Sequence, residues 1–347
     1  MKTVVKSENV KMMGRCIVDE NVCYLGHAGS YVSFEFEGSY VRLTLDTCLD
    51  QNLPEYQVYL SIFINNEPKP VLRFSPASGM HTYTVYHSDR VEKTAITIMK
   101  ITESGYGNVG ICMIETDSDA ISPVASHNRR IEFIGDSITC GYGAEQQELE
   151  TFSTSGENCY GAYAIQTARQ LKADYHLVAQ SGIGVYSGYV EPGTESPSTV
   201  DQMPDLYLYF DLSTSRLRGF EPETWSSERW PPDLIVVNLG TNDSFYFSGK
   251  EDQIDSFTDA YERFLRFLFQ RNPGVVIACT IGMMPCGLCD AVKGTVTKIK
   301  DLYPNLHYIP MDQPPGEKGQ SGHPSLRMHL QIAEKLSKEL RAIMKWD

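Results

Sequence analysis

The chain has 347 residues, of which 41% are hydrophobic, and it exceeds the size at which a single core stops growing, so two domains are expected. Its 30 Lys and Arg against 44 Asp and Glu leave a net charge of −14, which repels phosphate backbones and anionic lipid surfaces. We therefore expect neither a nucleic acid nor a membrane as partner.

No run approaches the roughly 18 consecutive apolar residues of a membrane helix. The opening MKTVVKSENVKMMGRC carries charges where a secretion signal needs an apolar stretch. We expect a cytoplasmic protein, and secretion stays open if the chain has been processed.

Nine cysteines are scattered along the chain, an odd number that does not indicate a disulfide framework. Cys286 and Cys289 have the C-x-x-C spacing of redox and zinc sites, but no second pair and no suitably spaced His pair accompanies them. We therefore expect no metal site and no cofactor.

The first part of the chain alternates apolar and polar residues with a period of two, as half-buried strands do. These runs cover residues 31–37, 40–46, 56–64, 71–74, 83–86, 95–98 and 109–114. No helical period separates them, so an all-β sandwich of the jelly-roll type is predicted for residues 1–125. Small and turn-forming residues at 117–128 mark its end.

After residue 130 short apolar strands alternate with helices, which predicts a three-layer α/β domain over residues 126–347 with a doubly wound parallel sheet. The predicted strands are 131–134, 175–179, 234–239, 275–280 and 306–309. One helical stripe runs from Ile254 to Leu268, and a second from Ile332 to Ile343 follows Ser325 as its predicted N-cap. Such sheets place their sites at the carboxyl ends of the strands.

Polar turns follow three of these strands. They bring Ser137, Gly182 and Asn242 to one edge, and His323 precedes the last helix at the same edge.

This set suits acyl transfer without a metal. Ser137 is the predicted nucleophile and His323 its base. The backbone N–H groups of Ser137 and Gly182, with the side-chain amide of Asn242, are the predicted oxyanion donors. Gly184 is a second candidate for the glycine amide.

These four residues, in this order, resemble the four motif blocks of the SGNH, or GDSL-type, hydrolases. The resemblance implies the same roles for Ser137, Gly182, Asn242 and His323. Residues 135–139 lack the second glycine of the Gly-x-Ser-x-Gly elbow that ordinary α/β-hydrolases carry.

A β-sandwich followed by such a domain resembles family two of the carbohydrate esterases, and Gly14-Arg15 and residues 157–160 and 181–185 fit that subgroup. The resemblance implies a serine esterase that removes acetyl groups from xylan or xylo-oligosaccharides, so an acetylated xylo-oligosaccharide or related glycan is the expected partner. A homo-oligomer is compatible with the sequence. The alternatives are another short-chain acyl or lipid esterase and a non-catalytic carbohydrate-binding protein.

The sequence departs from the SGNH pattern just before the histidine. An aspartate usually stands two or three residues upstream, where this chain has Ser321 and Gln320. Replacing a triad carboxylate by its amide can cost about 10⁴ in turnover. We therefore predict a Ser-His dyad. A backbone carbonyl that accepts from Nδ1–H would fix the tautomer without supplying a charge, and the group that orients His323 stays open.

Four further polar or aromatic residues have simpler interpretations. We expect Asp136 to be structural, Asp243 to close a turn and His329 to lie on a helix surface. Trp230 suits either a sugar site or the core.

Overall fold

The computed structural model describes residues 1–52 and 55–347 and divides them into two compact units. The first unit consists of Met1–Ser126 and Phe210–Glu223, and the second of His127–Tyr209 and Thr224–Asp347. The sequence prediction assigned residues 210–223 to the second domain, whereas the structure groups them with the first unit.

The first unit is built on antiparallel strands, as predicted. In its described residues the order is β3-β4-β9-β5-β8-β6-β7, with β1 beside β9 and both β2 and β10 beside β5. The strands are β1 (Lys2–Thr3), β2 (Lys11–Met13), β3 (Ile17–Asp19), β4 (Val22–Leu25), β5 (Tyr31–Leu49), β6 (Leu60–Ile64), β7 (Leu72–Phe74), β8 (Gly79–Lys100), β9 (Gly107–Thr116) and β10 (Ile121–Pro123).

Two long strands replace four predicted short ones. Runs 31–37 and 40–46 are both part of β5, and runs 83–86 and 95–98 are both part of β8. Their pairing register shifts between Gly38 and Tyr40, so the turn-like residues form a bulge within the strand. The Asp117 carboxylate accepts the N–H groups of Ser39 and Tyr40 there, which satisfies backbone donors at the bulge.

The core of the first unit is formed by the inward-facing half of the alternating residues. Phe34, Leu43, Ile96 and Ile111 are fully buried within it. The period-two pattern therefore marks the buried face of each strand.

Residues 210–223 are flanked in sequence by segments of the second unit but belong to the first. They contain a short helix, α4 (Leu212–Arg218). Arg218 donates hydrogen bonds to the Asp46 side chain, to the Asp46 carbonyl at 2.7 Å and to Asn108 Oδ1 at 2.7 Å. Its guanidinium carbon lies 4.8 Å from the centroid of the Tyr24 ring. These contacts hold the helix against the strands.

The second unit contains a parallel sheet with the order β12-β11-β13-β14-β15. The strands are β11 (Arg129–Gly135), β12 (Ala173–Ala179), β13 (Leu234–Asn238), β14 (Val276–Ile281) and β15 (Leu306–Pro310). Gly135 pairs with both Ala179 and Asn238, so β11, β12 and β13 end at the same level. The turns that follow them are therefore neighbours in space.

The helices of the second unit are α1 (Ser137–Cys140), α2 (Tyr163–Gln170), α3 (Met203–Leu206), α5 (Thr241–Phe247), α6 (Ile254–Arg271), α7 (Cys289–Ile299) and α8 (Leu326–Met344). The predicted stripes lie on α6 and α8, where Phe257, Phe264, Leu336 and Leu340 are buried. Within the part of the chain that the structure describes, none of the helices combines the length and the apolar composition needed to cross a bilayer.

We expect Arg218→Ala to lower the free energy of unfolding of the first unit by about 2 kcal/mol, because Asp46 loses its partner while mostly buried. The cost lies below that of a fully buried pair because the Asp46 side chain is 27% exposed. Urea unfolding measures the loss. The exposed Arg90→Ala is the matched control, and equal midpoints for the two variants would contradict the anchoring role.

Candidate active site

Ser137 lies directly beyond β11, at the first position of α1, where its side chain reaches the carboxyl edge of the sheet. Asp136 is the N-cap, and its carboxylate accepts the N–H of Ile138 at 3.0 Å. A Cβ on Gly135 would lie 2.0 Å from Thr139 Oγ1, so this turn requires glycine. Asp136 thus has a structural role, because it caps the helix whose first residue is Ser137.

His323 meets Ser137, with 2.9 Å between Nε2 and Oγ. Its Nδ1 lies 3.0 Å from the backbone carbonyl oxygen of Gln320. A carbonyl can only accept, so Nδ1 carries the proton and Nε2 accepts the Ser137 hydroxyl. The imidazole is therefore in the tautomer that a base for Ser137 requires.

The loop around Gln320 is wound tightly to present that carbonyl. The same oxygen also accepts the N–H of His323 at 3.1 Å, and the carbonyl of His323 accepts the N–H of Gly319 at 2.8 Å. Ser321 and Gly322 both have left-handed backbone angles, with φ of 53° and 79°. This turn brings a backbone oxygen to the position that a carboxylate occupies in a triad.

Burial lowers the pKa of His323 to about 4, and the hydrogen bond to the Gln320 carbonyl opposes this shift. The imidazole is therefore neutral at neutral pH. Neutral imidazole is the form that accepts a proton.

The loop after β12 places Gly182, and not Gly184, in the site. Gly182 lines the same cavity as Ser137, and its carbonyl accepts the N–H of Tyr189 at 2.8 Å. The N–H of Gly184 donates to Gln202 Oε1 at 3.2 Å. Gly184 is thereby committed elsewhere, which leaves Gly182 as the candidate.

Asn242 lies on the first turn of α5 and also lines the cavity. Its Nδ2 donates to the Ile183 carbonyl at 2.8 Å and lies 3.4 Å from Asp136 Oδ2. The short hydrogen bond to Ile183 fixes the plane of the Asn242 amide. The contact with Asp136 is longer and therefore weaker.

Asp243 organises the loop that carries Gly182. Its carboxylate accepts the N–H groups of Val185, Tyr186 and Ser187 at 2.7–3.1 Å. Burial raises the pKa of Asp243 to about 6 despite these donors. The predicted turn-closing role is therefore what the structure shows, and it connects two neighbouring strand ends.

The four predicted residues share one cavity of about 530 Å³. Sequence reasoning missed most of its other lining residues. These are Tyr142, Ser181, Tyr189, Thr241, Phe245, Met284 and Ser321. The rings of Tyr189 and Phe245 meet edge to face at 4.9 Å, so the cavity has an aromatic wall.

Tyr142 lies in a turn between two left-handed glycines, Gly141 and Gly143. The N–H of Tyr142 donates to the Ser137 carbonyl at 3.0 Å, and the carbonyl of Gly143 accepts the N–H of Gln320 at 3.1 Å. The turn therefore connects the serine and the histidine loops. The Gly-Tyr-Gly triplet shortly after Ser137 is the sequence signal that could have revealed it.

Residues 133–343, more than half of the chain, match the profile of the GDSL-like Lipase/Acylhydrolase family. The chain belongs to this family. Residues 12–124 match the Carbohydrate esterase 2 N-terminal profile. Both matches agree with the resemblance identified in the sequence.

Two named proteins are similar to this chain in sequence. A "Cellulase/esterase CelE" of Acetivibrio thermocellus is 31% identical over 72% of this chain, which spans 30% of that protein's length. An "Acetylxylan esterase / glucomannan deacetylase" of Cellvibrio japonicus is 26% identical over 99% of this chain and 92% of its own.

Among solved structures, a family two carbohydrate esterase from Clostridium thermocellum in complex with cellohexaose is 26% identical to this chain. It superposes with a TM-score of 0.85 over 97% of this chain and all of its own.

Three other predictions concern residues outside the cavity. His329 is not on a surface: it is fully buried, and its Nδ1 accepts the N–H of Tyr163 at the start of α2. It belongs to the apolar stripe of α8, three residues before Ile332. Trp230 stacks on His176 at 3.8 Å instead of lining the cavity, and Ser325 is at the N-cap without a capping side-chain bond.

The C-x-x-C cysteines lie where the chain enters α7, and both are free thiols. Cys286 contacts the Gly240 carbonyl at 3.7 Å, just before the turn that carries Asn242. In the residues that the structure describes, no three His, Cys, Asp or Glu side chains are grouped to hold a metal ion.

We expect Gly143→Ala to slow covalent labelling of Ser137 by a fluorophosphonate probe by about tenfold to a hundredfold. The new Cβ would lie 2.5 Å from Gln320 Cβ, so the loop that holds His323 must move. Mass spectrometry of the labelled protein measures the rate.

Gly193→Ala is the matched control. Gly193 also has a left-handed φ, of 88°, but an added Cβ would meet nothing within 4 Å. Both variants place a Cβ on a left-handed residue, which costs roughly 1–2 kcal/mol in either case. Equal labelling rates in the two would contradict the coupling between the turn and His323.

Proposed function

We propose that this protein is a carbohydrate acetyl esterase that removes O-acetyl groups from xylan or xylo-oligosaccharides through an acyl-enzyme on Ser137. The observation that carries the proposal is the 2.9 Å contact between Ser137 Oγ and a neutral His323, inside a cavity that Gly182 and Asn242 also line. It supplies a nucleophile, a base and oxyanion donors in one place.

The substrate class rests on the relatives. One relative is named an acetylxylan esterase / glucomannan deacetylase and another a cellulase/esterase, and a solved relative is described in complex with cellohexaose. The match of residues 12–124 to the Carbohydrate esterase 2 N-terminal profile favours this class over a lipid esterase.

Acylation begins when the ester carbonyl enters the cavity beside Ser137. The hydroxyl proton moves to Nε2 of His323 as Oγ attacks the carbonyl carbon. The oxyanion is stabilised by the N–H groups of Ser137 and Gly182 and by the amide of Asn242, whose more weakly held hydrogen is the available one. His323 then protonates the sugar oxygen, and the alcohol leaves.

Deacylation repeats these steps with water. Neutral His323 takes a proton from water as the water attacks the acetyl-serine, and the same donors hold the second oxyanion. Acetate leaves, and Ser137 regains its proton. Throughout, the Gln320 carbonyl keeps the Nδ1 proton in place, so only Nε2 exchanges protons.

Acetate release from acetylated xylo-oligosaccharides tests this proposal, with a longer-chain acyl ester as the comparison substrate. We expect release that is confined to acetyl substrates and that falls by at least about 10³-fold in Ser137→Ala. Ser122→Ala, at an exposed serine of the first unit, is the matched control and keeps full activity.

Each contrary result has a separate meaning. Activity on longer acyl chains alone would remove the carbohydrate substrate and leave the serine mechanism. No release above the Ser137→Ala background from either ester would favour a carbohydrate-binding protein.

We expect kcat/KM to be constant above about pH 5 and to fall with a midpoint near pH 4. His323 must be neutral to act as base, and burial lowers its pKa to about 4, so protonation removes activity only below that pH. A pH–rate profile with circular dichroism at each pH separates this titration from acid unfolding. A midpoint between pH 6 and 7 in the folded protein would show a solvated imidazole instead.

A further inference from the structure

The ring of Tyr142 contacts the imidazole of His323. Their centroids lie 4.7 Å apart and their planes are inclined by 39°. Both imidazole nitrogens already have partners, Ser137 Oγ and the Gln320 carbonyl. The contact with Tyr142 is therefore a contact between rings.

The Tyr142 ring is held firmly in this place. Phe152 stacks on it with 3.8 Å between centroids and 4° between planes. The backbone of Tyr142 donates to the Ser137 carbonyl, and the next residue accepts from Gln320. The ring is thus fixed relative to both the serine and the carbonyl that orients the histidine.

Three acidic side chains in the segments around the site are engaged with other partners. Asp136 accepts from Ile138 and lies near the Asn242 amide, and Asp243 accepts from three loop N–H groups. Glu148 pairs with Lys318 at 3.4 Å. On α8, burial lowers the pKa of His329 to about 3, which keeps it neutral. The partner of Nδ1 is a carbonyl, which bears only a partial charge.

The imidazolium of His323 needs a stabilising partner in this site. Proton transfer from Ser137 creates an imidazolium in a buried site, where a cation is disfavoured. A carboxylate would normally stabilise this cation. The face of an aromatic ring attracts a cation within about 6 Å of its centroid, and the attraction strengthens where water is excluded.

We propose that the π system of Tyr142 stabilises the His323 imidazolium during acyl transfer, in place of the carboxylate that the dyad lacks. Tyr142 is a positioning and electrostatic residue that acts through His323. Phe152 keeps its ring in contact with the imidazole. The inference rests on the proposed esterase function and deepens its mechanism.

The experiment changes the electrostatics of the ring and leaves its shape almost unchanged. Tyr142→Phe is made first, and phenylalanines with one, two and three ring fluorines then replace it, because fluorine withdraws electron density from the ring face. We expect Tyr142→Phe to retain most of the activity and kcat to fall steadily with fluorination, by about tenfold over the series.

A titration of His323 accompanies the kinetics. The imidazole is followed by nitrogen NMR from pH 7 downwards. A weaker ring face destabilises the imidazolium, so the pKa of His323 falls further below its value of about 4 as fluorines are added, by up to about one unit. A ring that only fills space would leave this pKa constant.

Tyr303 provides the matched control. It stacks on Phe269 at 4.4 Å and 13°, much as Tyr142 stacks on Phe152. The same substitutions there leave kcat and the pKa of His323 unchanged.

Constant kcat and constant His323 pKa across the Tyr142 series would overturn the inference. If the wild-type protein hydrolyses no ester, the esterase proposal fails, and the NMR titration alone decides whether Tyr142 stabilises the cation.

Discussion

The hydrogen bond from His323 Nδ1 to the Gln320 carbonyl is the interaction on which the rest of the site depends. It fixes the tautomer, so Nε2 faces Ser137 as an acceptor. A backbone oxygen can be brought there only by shaping the chain itself. The left-handed residues Ser321 and Gly322, and the close approach of Gly143 to Gln320, are the local consequences of that requirement.

A carbonyl orients an imidazole but contributes little charge. The site therefore separates two tasks that one carboxylate performs in a triad. The Gln320 carbonyl fixes the tautomer. Stabilisation of the imidazolium then depends on the other groups that contact the imidazole, and the Tyr142 ring is one of them. A low pKa for His323 is the expected result of burial without a paired carboxylate.

The short helix α5 connects the turns that follow two neighbouring strands. Asn242 and Asp243 are adjacent on α5, and the first supplies an amide to the cavity while the second gathers the N–H groups of the loop beyond Gly182. Asp243 is fully buried, so its carboxylate oxygens would be left without hydrogen-bond donors in the interior if the loop N–H groups moved away. Such an unpaired buried carboxylate is energetically costly. The geometry of the proposed oxyanion donors is thus tied to the folding of the neighbouring loop.

Much of this could be predicted from the sequence because periodicity and strand order are local properties. All five parallel strands were located to within two residues at each end, and Ser137, Gly182, Asn242 and His323 follow from what stands at their ends. The family assignment of residues 133–343 agrees with these blocks. The missing aspartate predicted a dyad, and only the structure identified the Gln320 carbonyl as the partner of Nδ1.

The tertiary structure decided what depends on contacts between distant segments. The sequence by itself determined that one sheet is antiparallel and the other parallel, and it identified Ser137, Gly182, Asn242 and His323 as the candidate site residues. Alternation, apolar runs and motif order are all visible along a single chain. It did not show that residues 210–223 join the first unit, that His329 is buried, or that Tyr142 touches His323. Each of these depends on contacts between residues more than 100 positions apart in the chain, and no local pattern encodes such contacts.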